Sequence, residues 1–198
     1  MESKSLKPRT IMLCTDDITP SHLDKFWKYW VQLKAKIPLL KLNAFVIPHY
    51  CKLDNERITR LRFKHWFKEH SNWVSLHLHG FDHSFPPENT RNFYLQEALI
   101  KLGKTMLAEV LGHENFGYKA PGYYLNEETR RILKEENFLF ICHQNSVEFL
   151  VQPKQSKNAL IVQSHTNGIS VDSVEKIYRQ LEENFKHDEF ITFDELYR

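Results

Sequence analysis

Residues Trp73–His83 read WVSLHLHGFDH. The first part, Trp73–His79, alternates apolar and polar residues and reads as a β-strand. The second part, His79-Gly80-Phe81-Asp82-His83, is a polar cluster set directly on the strand's end. The same pairing of apolar run and polar cluster recurs along the chain. Arg9–Thr15 leads into Thr15-Asp16-Asp17. Phe116–Ala120 leads into Lys119-Ala120-Pro121-Gly122-Tyr123. Ala159–His165 leads into Ser164-His165-Thr166-Asn167-Gly168. Asn43–Pro48, Phe138–His143 and Glu189–Phe193 complete the predicted strands. Between them fall amphipathic segments at helical spacing: Ser21–Ile37 (closed by Pro38), Asn55–His70, Arg91–Leu111, Glu127–Glu136 and Val171–Lys186. Thr90 is expected to cap the third helix and Gly112 to end it, and Asn126 to cap the fourth. This alternation predicts an α/β fold with a parallel sheet covered by helices. An open sheet would spread the polar clusters along a line, whereas a barrel gathers them on one rim. The expected fold is therefore a distorted, incomplete (β/α) barrel of about seven parallel strands.

The 198 residues suit a single catalytic domain spanning 1–198, and 41% hydrophobic residues suit a globular chain. A net charge of +2, dispersed along the sequence, argues against a nucleic-acid surface. The basic stretch Arg57–Lys68 interleaves with apolar residues and reads as the solvated face of a helix. Met1–Thr10 is polar with no apolar run behind it, and no segment reaches membrane-spanning length. A cytoplasmic protein without an integral membrane segment is expected. Cys14, Cys51 and Cys142 match no zinc or disulfide spacing and read as small buried hydrophobes.

His79 and His83 stand four apart. On a helical turn that spacing places both imidazoles on one face, able to grip one ion, and a carboxylate as third ligand would leave positions open for water and substrate. The pair Asp16-Asp17 is a source of that carboxylate. Adjacent residues on an extended chain point opposite ways, so one aspartate can ligate while the other faces a reacting water. The pair equally suits the N-cap of the following helix. Two His and one carboxylate also form the facial triad of Fe(II) oxygenases, which the strand–helix alternation disfavours. A two-metal phosphoesterase would need more ligands than the sequence offers. His77 shares a strand face with His79 and reads best as a hydrogen-bonded core residue.

At these clusters the sequence resembles the polysaccharide deacetylase family, carbohydrate esterase family four. The resemblance runs from Thr15 to Gly168. The family's Thr-Phe-Asp-Asp-Gly motif corresponds to Cys14-Thr15-Asp16-Asp17-Ile18, its His-x-x-x-His motif to His79 and His83, its Arg-x-Pro-x-Gly motif to Lys119–Tyr123, and its Leu-x-His motif to Gln163-Ser164-His165. The resemblance implies Asp17, His79 and His83 as ligands of a divalent metal, most simply Zn²⁺. It implies Asp16 as general base, His165 as general acid, and Lys119, Pro121 and Tyr123 as substrate or oxyanion contacts. A backbone N–H near Tyr123 would serve the oxyanion. Three departures stand out. Lys119 replaces an Arg and loses the planar fork that would orient Asp16. Gln163 replaces an apolar residue. No Asp-x-x-Asp-Trp motif is found.

The implied activity is metal-dependent hydrolysis of the amide that joins an acetyl group to an N-acetylated sugar or glycan precursor. The partner is that sugar, and no nucleic acid. Tyr123, Tyr124 and Phe81 would either stack on a sugar ring or pack the barrel. The alternatives are another metal amidohydrolase on the same barrel, or an inactive deacetylase-like protein that binds sugar or metal.

Overall fold

The computed structural model describes residues 8–23, 27–49, 56–83, 91–165, 171–185 and 187–198. The strands are β1 (Thr10–Ile18), β2 (Leu42–Val46), β3 (Val74–Leu78), β4 (Phe140–Cys142), β5 (Val147–Phe149), β6 (Ala159–His165) and β7 (Glu189–Phe190). The helices are α1 (Lys28–Lys36), α2 (Glu56–His70), α3 (Phe93–Leu111), α4 (Glu127–Glu135) and α5 (Val171–Phe185). β1, nine residues long, is the centre of the sheet. β6 runs parallel along one edge, from Thr10↔Ala159 to Asp16↔His165. The other edge is shared: β7 pairs with Thr10 and Ile11, and β2 takes over from Cys14. Asn43, fully buried, stitches that junction. Its amide donates to the Leu13 and Ile191 carbonyls, both at 3.3 Å, and its Oδ1 accepts from the Phe193 N–H at 2.7 Å. A buried amide satisfied on both ends adds specificity without an unmet polar group.

The parallel order is β3-β2-β1-β6 with β7 on β1, a five-stranded sheet. Among the described residues the expected barrel of about seven parallel strands is not detected. The predicted strand Phe116–Ala120 is reduced to one bridging residue. Tyr118 pairs in parallel with Leu78 on one side and Ile141 on the other. β5, absent from the sequence reading, turns back on β4 as an antiparallel hairpin. Among the described residues no backbone ladder joins β6 to β4 or β5.

Side chains alternate across the curved sheet as a period of two requires. Ile11 and Leu13 face the helices, in a core with Trp30, Leu33, Phe63, Ile100, Leu107 and Leu181. Met12 and Cys14 face the other way, packing with Phe45, Phe140, Cys142, Ile191 and Phe193. Asp16 continues the second series, and this alternation places it at the mouth of the inner cluster. Cys14 and Cys142 are buried free thiols, as the sequence suggested, and burial pushes the Cys14 thiol well up. Cys51 lies outside the described residues, as does Thr90. Asn92, not Thr90, caps α3 by accepting from the Leu95 N–H at 3.1 Å. Gly112 ends it at φ 79°, and Asn126 caps α4. No helix among the described residues is long and apolar enough to cross a membrane.

Gly117 makes the crossing from β3 toward β4 possible. A Cβ there would lie 2.2–2.5 Å from the Phe140 ring. Gly117→Ala is expected to destabilise the protein by about 1–3 kcal/mol through overpacking. A lower urea midpoint at unchanged slope is the check, and a wild-type midpoint would disprove the contact.

Candidate metal centre

The β1 ladder loses register between Thr15 and Ile18. Asp17 sits in that irregularity at φ 57°, a left-handed conformation few non-glycine residues adopt. The bulge separates the two aspartates. Asp16 stays buried, while the Asp17 side chain, 22% exposed, turns to the rim. After β3, the His79 N–H donates to the Val46 carbonyl at 2.7 Å, which anchors the residue to the next strand. The chain then turns through Gly80 (φ 69°) to His83 (φ 51°). The His79–His83 segment is irregular and not the helical turn its spacing suggested. Asp17, His83 and Tyr123 are three of the four non-glycine residues at positive φ among the described residues, so local strain gathers at this rim.

Asp17 Oδ1 lies 3.4 Å from His79 Nε2 and 3.4 Å from His83 Nε2. One ligand atom from each of the three residues falls within 4.8 Å of the others. His79 Nδ1 is 3.0 Å from the Lys119 carbonyl. That carbonyl can only accept, so Nδ1 donates to it, and the ring is oriented with Nε2 toward Asp17 and His83. His77 is a core residue, as read from the sequence. It is fully buried, touching Ser75 Oγ through Nε2 and the Gly117 N–H through Nδ1. Burial pushes its pKa down to about 4.

Behind the triad lies a buried ion pair. Lys119 Nζ donates to Asp16 Oδ1 and Oδ2, each at 2.6 Å, and the Lys119 side chain is wholly inaccessible. Burial alone would lower the lysine pKa. Attraction to Asp16 and the hydrogen bond with it, then the nearby Cys142 and Tyr123, outweigh that and hold the ammonium above the ordinary lysine value. The Phe45 and Tyr123 rings flank Nζ at 5.2 and 5.0 Å. Pro121 is buried in the 3₁₀ turn Pro121–Tyr123, which swings Tyr123 to φ 60°. Its phenol reaches toward Asp16 Oδ2 at 3.5 Å. The N–H groups of Tyr123 and Tyr124 donate to the Ala120 and Pro121 carbonyls, so neither is directed at an oxyanion. His165 pairs with Asp16 in the β1–β6 register, and its side chain lies outside the described residues.

No protein-family model matches the sequence, and no curated protein matches it. Solved structures do. A peptidoglycan N-acetylglucosamine deacetylase superposes with a TM-score of 0.64 at 15% identity, covering 96% of this chain and 89% of the other. A family 4 acetyl xylan esterase from Clostridium thermocellum, in complex with a cobalt ion, gives 0.64 at 11% identity, covering 96% and 90%. A carbohydrate esterase family 4 pseudoenzyme from Bacillus anthracis gives 0.62 at 10% identity, covering 97% and 66%.

The fold is that of the family 4 carbohydrate esterases. The resemblance drawn from the motifs thus holds at the level of architecture. On this family 4 carbohydrate esterase fold the chain brings Asp17, His79 and His83 together, with Asp16, Lys119 and Tyr123 beside them. Sequence reasoning missed two contributors. Gln163, noted only as a departure, accepts from Lys119 Nζ at 2.6 Å. His49 stacks on Phe81, with centroids 4.6 Å apart and planes 10° from parallel. A polar residue at an inward strand position was the only signal for the first, and nothing local signalled the second.

Proposed function

We propose that residues 1–198 form one catalytic domain, a metal-dependent hydrolase that removes an acetyl group from an N-acetylated sugar or glycan precursor. The observation that carries this reading is the Asp17–His79–His83 cluster set against the buried Asp16–Lys119 pair. The donor set fits a borderline-soft divalent ion: two imidazole nitrogens, one of them oriented by a carbonyl, and one carboxylate. By ligand type the ion is Zn²⁺. Such an ion, when bound, supplies Lewis-acid polarisation of a carbonyl and a more acidic water.

The chain's own residues divide the remaining work. Asp16, held through both oxygens, accepts the proton of the attacking water. Lys119 keeps that carboxylate in place through contacts to both oxygens. The Tyr123 phenol donates toward the developing negative charge on the acetyl oxygen. His165 returns a proton to the amine nitrogen as it leaves. Exposed Tyr124, and Phe81 stacked on His49, offer flat apolar faces of the kind sugar rings pack against.

Purified protein is expected to hold about one divalent ion per chain, and His79→Ala/His83→Ala to hold far less. Elemental analysis on both, with acetate release from N-acetylglucosamine oligomers, tests the reading. Unchanged metal in the double variant would overturn the ligand assignment. Metal without acetate release would favour a deacetylase-like binding protein, a reading that the Lys119 departure and the pseudoenzyme of like fold support.

A further inference from the structure

Gln163 is the second side chain, after Asp16, that accepts from the Lys119 ammonium. An ammonium carries three hydrogens and no acceptor, and a wholly buried one needs three acceptors. Asp16 Oδ1 and Oδ2 supply two, and Gln163 Oε1 the third, each at 2.6 Å. Gln163 is itself fixed from behind. Its Nε2 donates to the His143 carbonyl at 3.4 Å and lies 3.9 Å from Cys142 Sγ. The ammonium offers only hydrogens and the carbonyl only lone pairs, so the amide cannot flip without losing both contacts.

The location matters as much as the chemistry. Asp16 comes from β1, Lys119 from the segment bridging β3 and β4, Gln163 from β6, and His143 from the end of β4. The relay Asp16–Lys119–Gln163–His143 therefore crosses the side of the sheet where no described backbone ladder joins β6 to β4. A guanidinium fixes the plane of a carboxylate by itself, through two parallel N–H groups. An ammonium is a compact charge that can rotate about Cε–Nζ, and two contacts to one carboxylate leave it free to slide. The third contact removes that freedom.

We propose that Gln163 is a positioning residue: by taking the third hydrogen of Lys119 and bracing on the His143 carbonyl, it holds the ammonium astride both oxygens of Asp16 and so aims that carboxylate at substrate. This rests on the reading of Asp16 as proton acceptor. The two departures, Lys119 and Gln163, are then one compensated pair.

The test compares wild type, Gln163→Leu and Lys119→Arg/Gln163→Leu. Gln163→Met, which fills the amide's volume, replaces the Leu variant in the comparison should that one fail to fold. Hydrogen exchange of the Lys119 ammonium is followed by ¹⁵N NMR on metal-free protein, and kcat, KM and metal content are measured with N-acetylglucosamine oligomers. Wild type should show a slowly exchanging Lys119 signal. In Gln163→Leu that signal should broaden or vanish, and kcat should fall roughly ten-fold at unchanged KM and metal content. The guanidinium of the double variant should recover most of that loss, which a purely structural role for Gln163 would not produce. Unchanged exchange and unchanged kcat in Gln163→Leu overturn the proposal, as does a double variant no better than the single one. If wild type releases no acetate, the deacetylase reading fails separately, and the exchange measurement alone decides the role of Gln163.

Discussion

Asp16→Asn is expected to keep its metal and lose turnover by about a hundredfold to ten-thousandfold, the range for removing a positioned base. The substitution preserves shape and changes two things. The amide cannot accept a proton at neutral pH. It also turns an NH₂ group toward an ammonium that now meets two carboxylate oxygens at 2.6 Å. The second effect costs stability, so activity must be read where circular dichroism shows the variant folded. Asp17→Asn should behave differently. Its Oδ1 faces both His79 Nε2 and His83 Nε2, and a neutral amide is a poorer ligand than a carboxylate, so metal content should fall first. Metal content and acetate release measured on the same preparations separate the cases. Loss of metal in Asp16→Asn, with metal and activity both kept in Asp17→Asn, would mean that the two roles are reversed.

The separation of the two aspartates shows where sequence stops being informative. That they do different jobs follows from strand alternation alone. That Asp17 swings to the rim follows from a register shift against β2 and a φ of 57°, in a stretch with no glycine to announce it. His79 and His83 were legible from their spacing, yet the loop between them is irregular, because the chain must cross from the end of β3 with His79 anchored to the Val46 carbonyl. Strand-like segments were read where apolar runs are long. Phe116–Ala120 became one residue, Tyr118, bridged to Leu78 on one side and Ile141 on the other, with Gly117 packed against Phe140. β5 was missed, since Val147–Phe149 is only three residues long and none of them is buried. The Lys119–Gln163 contact joins residues 44 positions apart and exists only once β6 is docked. Local pattern found the residues that end strands, and only packing shows which of them touch.

Lys119→Met is expected to lower the unfolding free energy by about 3–5 kcal/mol, the typical cost of removing one partner of a buried ion pair. Methionine fits the channel between the Phe45 and Tyr123 rings, so lost volume is not the main term. The main term is the Asp16 carboxylate, 3% exposed and left facing an apolar side chain in place of its ammonium. For a chain of this size that corresponds to a melting point lower by roughly 6–20 °C. The double variant Asp16→Asn/Lys119→Met separates pair energy from packing. With both charges gone, no uncompensated ion remains, and a buried pair replaced as a unit is often near neutral. The double variant should therefore melt above Lys119→Met alone, with a coupling of the sign expected for contacting residues. Gln163 sharpens the comparison, because its Oε1 loses its donor in both variants and that loss cancels between them. Thermal melts of wild type, both single variants and the double variant provide the check. If the single effects simply add, Asp16 and Lys119 contribute independently, and a lysine at position 119 holds nothing in place.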